Sequence, residues 1–288
     1  MAKPPPSWIL SRTDHGKTLQ DVLRDRLQLS GRRAKALLDQ RTVFLNGQRI
    51  WMARHTVRAG DRLEVHGIAE ATAAPAEKRP PIPILHRDQW LLAANKPAGC
   101  VSDLDKDSLE AQLQTQCKAP ALRALHRLDR DTSGALLFTL DAKEREPYLE
   151  CFREKQLSKR YLTIVRGTPS SSRFTVRTRL DGKEAETCVT RLQQQGNYAL
   201  LSCEIPTGRT HQIRRHLLEH HLVIVGEKQY GQREGAPAIE RSVTRQMLHA
   251  HRITFTCPHT RAPLNILAPP PEDFLATLRH FGLRPPKY

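Results

Sequence analysis

Between Ile68 and Pro83 the chain runs through Ala, Pro, Glu and Lys with no apolar periodicity, and this break dictates that the sequence folds in two parts. The part before it is short. Leu19, Val22, Leu23 and Leu27 recur at helical spacing, Leu29 interrupts the pattern, and Ser30 stands as the N-cap of a second helix carrying Ala34, Leu37 and Leu38 on one face. Val43 to Leu45 lead into Asn46-Gly47, a dipeptide suited to a tight hairpin, and a second turn at Ala59-Gly60-Asp61 precedes a strand over Arg62 to Val65. Two helices followed by a small sheet are therefore expected, close to the lower size limit for independent folding.

The second part reads as α+β. Apolar or β-branched runs predict strands over Trp90–Ala94, Ala135–Leu140, Tyr161–Val165, Ala199–Ile205 and Ile253–Phe255. Helices are expected over Ala142–Lys155, Thr210–Glu219 and Pro271–Phe281. Strands and helices do not alternate regularly, which argues against a doubly wound parallel sheet.

Charge narrows the partner. The 288 residues carry a formal charge of +16, which points to a polyanion, with nucleic acid first. Residues 1 to 80 hold 15 Lys plus Arg against 8 Asp plus Glu, so the basic excess is shared between both parts. Arg32, Arg33 and Lys35 crowd the first turn of the second helix, where the helix dipole disfavours cations and a phosphate ligand would explain them. No run approaches the length of a membrane span, no secretory signal is apparent, and six scattered cysteines without a CxxC pair fit reduced thiols in a cytoplasm. No membrane role is expected.

Three polar segments flank apolar strands. HRLDRDTSG, from His126 to Gly134, places Asp129 and Asp131 beside a buried strand, where neighbours can tune their ionisation. KRYLTIVRG begins at Lys159, and PTGRTHQIRRHL spans Pro206 to Leu217 with Arg209 and Arg214 positioned to meet a common anion. Each alone fits an ordinary role as well: a solvated turn, a half-buried strand tyrosine, a basic helix face in water.

In this order the three segments resemble the signature motifs of the RluA-type pseudouridine synthases, with HRLDRDTSG complete at the fixed positions of HRLDxxTSG. ILHRDQWLLAANKPAG (84 to 99) and QMLHAHRITFTCP (246 to 258) are similar to further segments of that family. LSGRRAKALL, VFLNGQRI and AGDRLEV resemble the S4 RNA-binding domain. The resemblance implies an S4-like domain over 12–67, a linker over 68–83 and, over 84–288, a catalytic domain with a mixed, mainly antiparallel sheet and flanking helices. It implies that Asp129 is the catalytic carboxylate, Arg214 its ion-pair partner, Tyr161 the residue stacking on the base and Ile213 the apolar residue beside it. His126, Arg127 and Thr132 match positions that shape the catalytic loop, Arg127 filling the space vacated by a flipped nucleotide; Arg209 is expected at the substrate.

The implied reaction is the isomerisation of uridine to pseudouridine in structured RNA, ribosomal RNA first and transfer RNA second, without cofactor or metal. A monomer with no obligate protein partner is expected. Arginine suits position 214 because its planar fork grips a carboxylate at two points and keeps it charged in a desolvated pocket. One departure stands out: the family usually has Val-Gly-Asp where this chain has Val225-Gly226-Glu227.

Overall fold

The computed structural model describes residues 6–286 apart from 30, 40–41, 67–79, 104, 106, 155 and 232–236, and the side chains of Arg32, Arg33 and Ala36 also lie outside the description. The chain divides into two compact units, Met1–Pro80 and Pro81–Tyr288.

The first unit contains β1 (Ser7–Ile9), α1 (Leu19–Leu27), α2 (Gly31–Asp39), β2 (Val43–Leu45), β3 (Gln48–Arg49) and β4 (Arg62–Val65). Thr18 caps α1, its hydroxyl accepting from the Asp21 N–H at 3.2 Å, and Gln28 ends the helix in the left-handed region. Leu19, Val22 and Leu23 of α1 and Ala34, Leu37 and Leu38 of α2 bury their periodic faces against Val43 and Leu63 of the sheet. Asn46 and Gly47 have φ of 52° and 77°, the pair of positive values that the tightest hairpin turns demand. The Asn46 side chain bridges to β4, donating to Asp61 at 2.8 Å and accepting from the Arg62 N–H at 2.7 Å. The sheet has the order β1-β4-β2-β3. The expectation of a sheet formed only after the helices needs correction, because β1 precedes them and pairs with β4. Its three residues, SWI, are too few to show a period. The expected cap Ser30 and most of the expected linker fall outside the described residues.

The second unit contains β5 (Ile84–Arg87), β6 (Leu91–Lys96), α3 (Leu109–Gln116), β7 (Arg123–Ala124), β8 (Ser133–Thr139), α4 (Arg145–Arg153), β9 (Ser158–Arg166), β10 (Arg173–Val176), β11 (Thr187–Gln195), β12 (Tyr198–Glu204), α5 (Gln212–Glu219), β13 (Val223–Ile224), β14 (Leu248–Thr256), β15 (Pro263–Leu267) and α6 (Glu272–His280). It is a mixed α+β fold on a mainly antiparallel sheet of order β10-β11-β12-β9-β14-β8-β6-β5, with β13, β15 and β7 added to β9, β14 and β8. Among the described pairings β14 with β8 is parallel.

The continuous apolar run of β8 follows from burial on both faces. Leu136 and Phe138 enter one core with Leu92, Tyr161, Leu201 and Leu217; Ala135 and Leu137 enter another with Tyr148, Ile253 and Phe255. At the seam with β14, Gly134 has φ 118° and a Cβ there would lie 2.2 Å from the Ala250 carbonyl oxygen, so no other residue fits. All three helices predicted for this unit are shorter than expected, α6 by one residue at each end. α4 is preceded by a 3₁₀ turn, Ala142–Glu144, and α5 starts at Gln212 rather than Thr210 because His211 adopts left-handed backbone angles, φ 52° and ψ 29°. Among the described residues no helix is long and apolar enough to cross a membrane, and the six cysteines form no disulfide.

Candidate functional site

A cleft of about 570 Å³ opens where the loop entering β8, strand β9 and the N-terminus of α5 converge, and it is lined by Asp129, Tyr161, Ile213 and Arg214 among others. Asp129 precedes β8 by one tight turn, closed by the Thr132 N–H donating to the Asp129 carbonyl at 3.1 Å. Tyr161 leaves β9 toward the cleft and is 7% exposed. Burial, followed by the Asp129 charge, pushes its phenol well above the usual range, so it stays neutral.

Arg214, on the first turn of α5, donates from Nη1 to Asp129 Oδ2 at 3.0 Å. The rest of its fork belongs to Glu227, with Nε to Oε2 and Nη2 to Oε1 both at 2.7 Å. The Glu227 carboxylate also accepts the backbone N–H groups of Lys228 and Gln229 at 2.9 and 2.8 Å. Burial opposes the charge on both partners. The hydrogen bonds and charge of Glu227 overcome it for Arg214, whose proton is held more tightly than usual. Those of Arg214, with the backbone donors, hold Glu227 below its usual value. The Tyr230 ring lies 5.0 Å from the guanidinium, and its hydroxyl meets His211 Nδ1 at 2.8 Å. His211 Nε2 comes to 3.7 Å from Asp129 Oδ1.

The backbone carrying Asp129 is clamped by two buried cations. Lys96, fully buried, donates to the carbonyls of Pro97, Arg130 and Thr132 at 2.8 to 3.0 Å. Burial lowers its pKa to about 8. Arg245 donates to the Asp131 carbonyl at 3.2 Å and to Asp273. The three consecutive carbonyls after Asp129 are thus each held by a buried positive charge, which fixes where the carboxylate points. The turn bearing Glu227 is equally constrained: at Gly226, φ 78°, a Cβ would lie 1.9 Å from the Arg245 carbonyl oxygen.

Asp129, Tyr161, Ile213, Arg214, His126, Arg127, Thr132 and Arg209 all line the one cleft. Their surroundings differ. His126 Nε2 accepts from the Leu137 N–H at 3.2 Å, and burial with the nearby Lys159 charge lowers its pKa to about 3, so it is a neutral acceptor that ties the loop to β8. Thr132 is buried and accepts from Gln246 at 3.0 Å. Arg127, 67% exposed at the cleft mouth, pairs with Asp103 at 3.1 Å. The expectation that Arg209 and Arg214 meet one anion needs correction: Arg214 is taken by Asp129 and Glu227, whereas Arg209 Nε donates to the Glu184 carbonyl at 2.9 Å.

In the first unit Lys35 is exposed and pairs with Asp39 at 3.0 Å; the Arg32 and Arg33 side chains lie outside the description. The sequence reading missed Lys96 and Gln212, and it noted Glu227 only as a departure in its turn, without the pairing to Arg214. Gln212 locks the loop before α5, its Oε1 accepting from Thr207 at 2.8 Å and the Arg209 N–H at 3.0 Å. A lysine in the apolar strand LLAANK and an acid in the turn VGE were the available signals. Among the described residues no three His, Cys, Asp or Glu side chains gather as a metal ion would require.

A family model described as RNA pseudouridylate synthase matches residues 90–219. The tRNA pseudouridine synthase C of Salmonella typhi is 33% identical over 235 residues, spanning 70% of this chain and 90% of that protein. The ribosomal large subunit pseudouridine synthase D of Xanthomonas campestris pv. campestris is 29% identical over 252 residues, spanning 76% and 75%. Among solved structures, human RNA pseudouridylate synthase domain containing 1 superposes with a TM-score of 0.56 at 27% identity, over 66% of this chain and 84% of that one.

Proposed function

This chain belongs to the RNA pseudouridylate synthase family, of the RluA type, and from that premise we propose that it isomerises uridine in structured RNA with Asp129 as the catalytic carboxylate, Arg214 as its ion-pair partner and Tyr161 as the surface on which the base stacks. The observation that carries this reading is the 3.0 Å contact between Arg214 and Asp129 inside the same cleft as Tyr161. The reaction breaks the bond from ribose C1′ to uracil N1, turns the base and joins C1′ to C5; the hydrogen on C5 leaves as a proton and N1 takes one up, so the product is an isomer. Asp129 acts at the sugar while Arg214 supplies the opposing charge. Glu227, by occupying the other two donors of the fork, stops Arg214 from following the substrate and so preorganises the carboxylate.

Tyr161 can hold the loose uracil by stacking, worth about 1 to 3 kcal/mol per base, without imposing one in-plane orientation. Ile213 packs beside it. His126 and Thr132 hold the loop, Arg127 fills the gap left by the flipped nucleotide, and Arg209 contacts substrate. Flipping the uridine out costs a few kcal/mol, least in loops and bulges, which favours structured RNA with accessible uridines. Ribosomal RNA is the first target class and transfer RNA the second, matching the two kinds of relative. The enzyme works as a monomer in the cytoplasm with no obligate protein partner.

Incubating the enzyme with cellular RNA tritiated at uracil C5, from cells lacking the protein, tests the reading. Tritium release is expected; none from any RNA fraction overturns it.

Residues 12–67 act in this reading as an S4-like RNA-binding domain, joined by 68–83 to the catalytic domain over 84–288. Arg32, Arg33 and Lys35 supply phosphate contacts that position the RNA. The double variant Arg32→Ala, Arg33→Ala is expected to weaken binding and to lower the dependence on log salt by about one to two counterions. Binding measured from low to moderate salt decides the matter, and an unchanged slope removes these residues from the interface.

A further inference from the structure

The chemistry above makes no use of Lys159, although it shares the cleft. It precedes Tyr161 by two residues on β9, so both side chains leave the same face of the strand, about 6.6 Å apart along it. Lys159 is 8% exposed. Its Nζ donates to the Thr207 carbonyl at a long 3.4 Å and lies 5.6 Å from the centre of the Phe152 ring. Gly208 lies beside it, a Cβ there standing 3.6 Å from Nζ, in ordinary contact. Among the described residues Lys159 has no carboxylate within ion-pair distance, and the neighbouring charge that acts on it, Arg209, repels it. An ammonium buried without a counter-charge is strongly disfavoured, and this one faces a cleft into which an anion can enter.

We infer that Lys159 is a phosphate-binding group that takes a backbone phosphodiester of the target nucleotide while its uracil lies against Tyr161. The assignment rests on the reading of the cleft given above and adds the group that anchors the sugar–phosphate end. The spacing along β9 sets that anchor one nucleotide's breadth from the stacking surface, so the C1′ carbon between them is presented to Asp129. Without the anchor the flipped nucleotide is held by its base alone, the very part that must detach.

The test is tritium release from an RNA labelled at uracil C5, comparing wild type, Lys159→Met and Lys159→Arg. Lys159→Met is expected to raise KM about 10- to 100-fold, the range for losing a hydrogen bond to a charged group, with a smaller change in kcat. The salt dependence of KM falls by about one counterion. Lys159→Arg recovers most of the loss.

A pH series gives a readout that a structural role would not move. Burial, with Arg209, brings Lys159 down to about 8, so its charge and the phosphate contact are present below that pH and lost above it. Wild-type KM rises as pH climbs past 8, and Lys159→Arg rises less, because a guanidinium keeps its proton and only the share of Lys96, which burial also brings to about 8, remains. The other titratable groups in and around the cleft do not distinguish the two profiles: His126 sits at about 3, His211 lies below its usual value, Arg127, Arg145, Arg153 and Arg209 and the acids Asp103 and Asp129 belong to classes that do not ordinarily change charge near pH 8, and Lys96 is the same in both proteins.

A folded Lys159→Met with wild-type KM and salt slope overturns the inference. If that variant fails to fold, the pH comparison of wild type with Lys159→Arg decides, and identical profiles overturn it. Failure of wild type itself to release tritium overturns the catalytic reading; release by wild type with Lys159→Met indistinguishable from it overturns the phosphate assignment alone.

Discussion

Asp129→Asn is expected to slow uridine isomerisation by at least about 10³-fold, in the range for removing a group that acts directly in bond making or proton transfer, while RNA affinity stays within a few-fold of wild type. Asparagine has nearly the same shape, and Arg214 keeps both bonds to Glu227, so the cleft does not collapse. What disappears is one negative charge on a side chain that is 26% exposed. Phosphate contacts dominate RNA affinity, and a carboxylate contributes nothing favourable to them. The outcome is read by pairing single-turnover tritium release with a binding titration on the same RNA. Equal losses in both would mean that Asp129 serves the shape of the cleft rather than the chemistry.

Arg214→Met is expected to be the most damaging substitution to the fold of the cleft. Glu227 has a 3% exposed side chain and loses both guanidinium bonds. A buried charge left without its partner destabilises by about 3 to 5 kcal/mol. The sign of the pH dependence follows. In wild type Glu227 is held below its usual value, so it stabilises the fold above the pKa of an unfolded glutamate, and that contribution is lost as pH falls. In Arg214→Met burial, the largest influence on Glu227, is opposed only by the backbone donors of Lys228 and Gln229 and raises it, so that it binds a proton on folding. The stability gap between variant and wild type therefore narrows as pH falls toward about 4, near the glutamate reference value. Adding Glu227→Gln removes the orphaned charge and restores most of the stability, while tritium release stays abolished because Asp129 has lost its partner. Denaturant melts at neutral and acid pH check this, and a gap that is constant with pH would show that Glu227 is not the source of the damage.

The residues to which we assign the chemistry were legible because they sit in strings whose polarity clashes with the strands beside them. Asp129 stands just before a seven-residue strand buried on both faces, and Tyr161 and Arg214 lie in segments that the fold brings to it. The strands β6, β8, β9, β12 and β14 were visible as apolar runs. Others were not: β10 and β11 read RFTV and TCVTRLQQQ, and α3 reads LEAQLQTQ with Leu109 and Leu113 as its buried residues. Such segments owe their structure to neighbours rather than to their own pattern.

The supporting shell was hidden for a related reason. Lys96 lies just past the strand expected over Trp90–Ala94 and becomes a clamp only when the carbonyls of residues 130 and 132 fold over it. Glu227 was noticed as a longer acid in a familiar turn. Its extra methylene does not displace the carboxylate from Arg214, because the turn is fixed by Gly226 and by the backbone donors of Lys228 and Gln229. Pairings of this kind span 34 residues from Lys96 to Arg130 and 13 from Arg214 to Glu227, and no local period encodes them.

The most direct test maps pseudouridines across total RNA from cells lacking this protein, then from the same cells supplied with wild type or with Asp129→Asn. One or a few specific sites should be absent without the protein, return with wild type and stay absent with the variant. A map in which no site depends on the protein, or in which Asp129→Asn restores the missing sites, would contradict the assignment of the chemistry to that carboxylate.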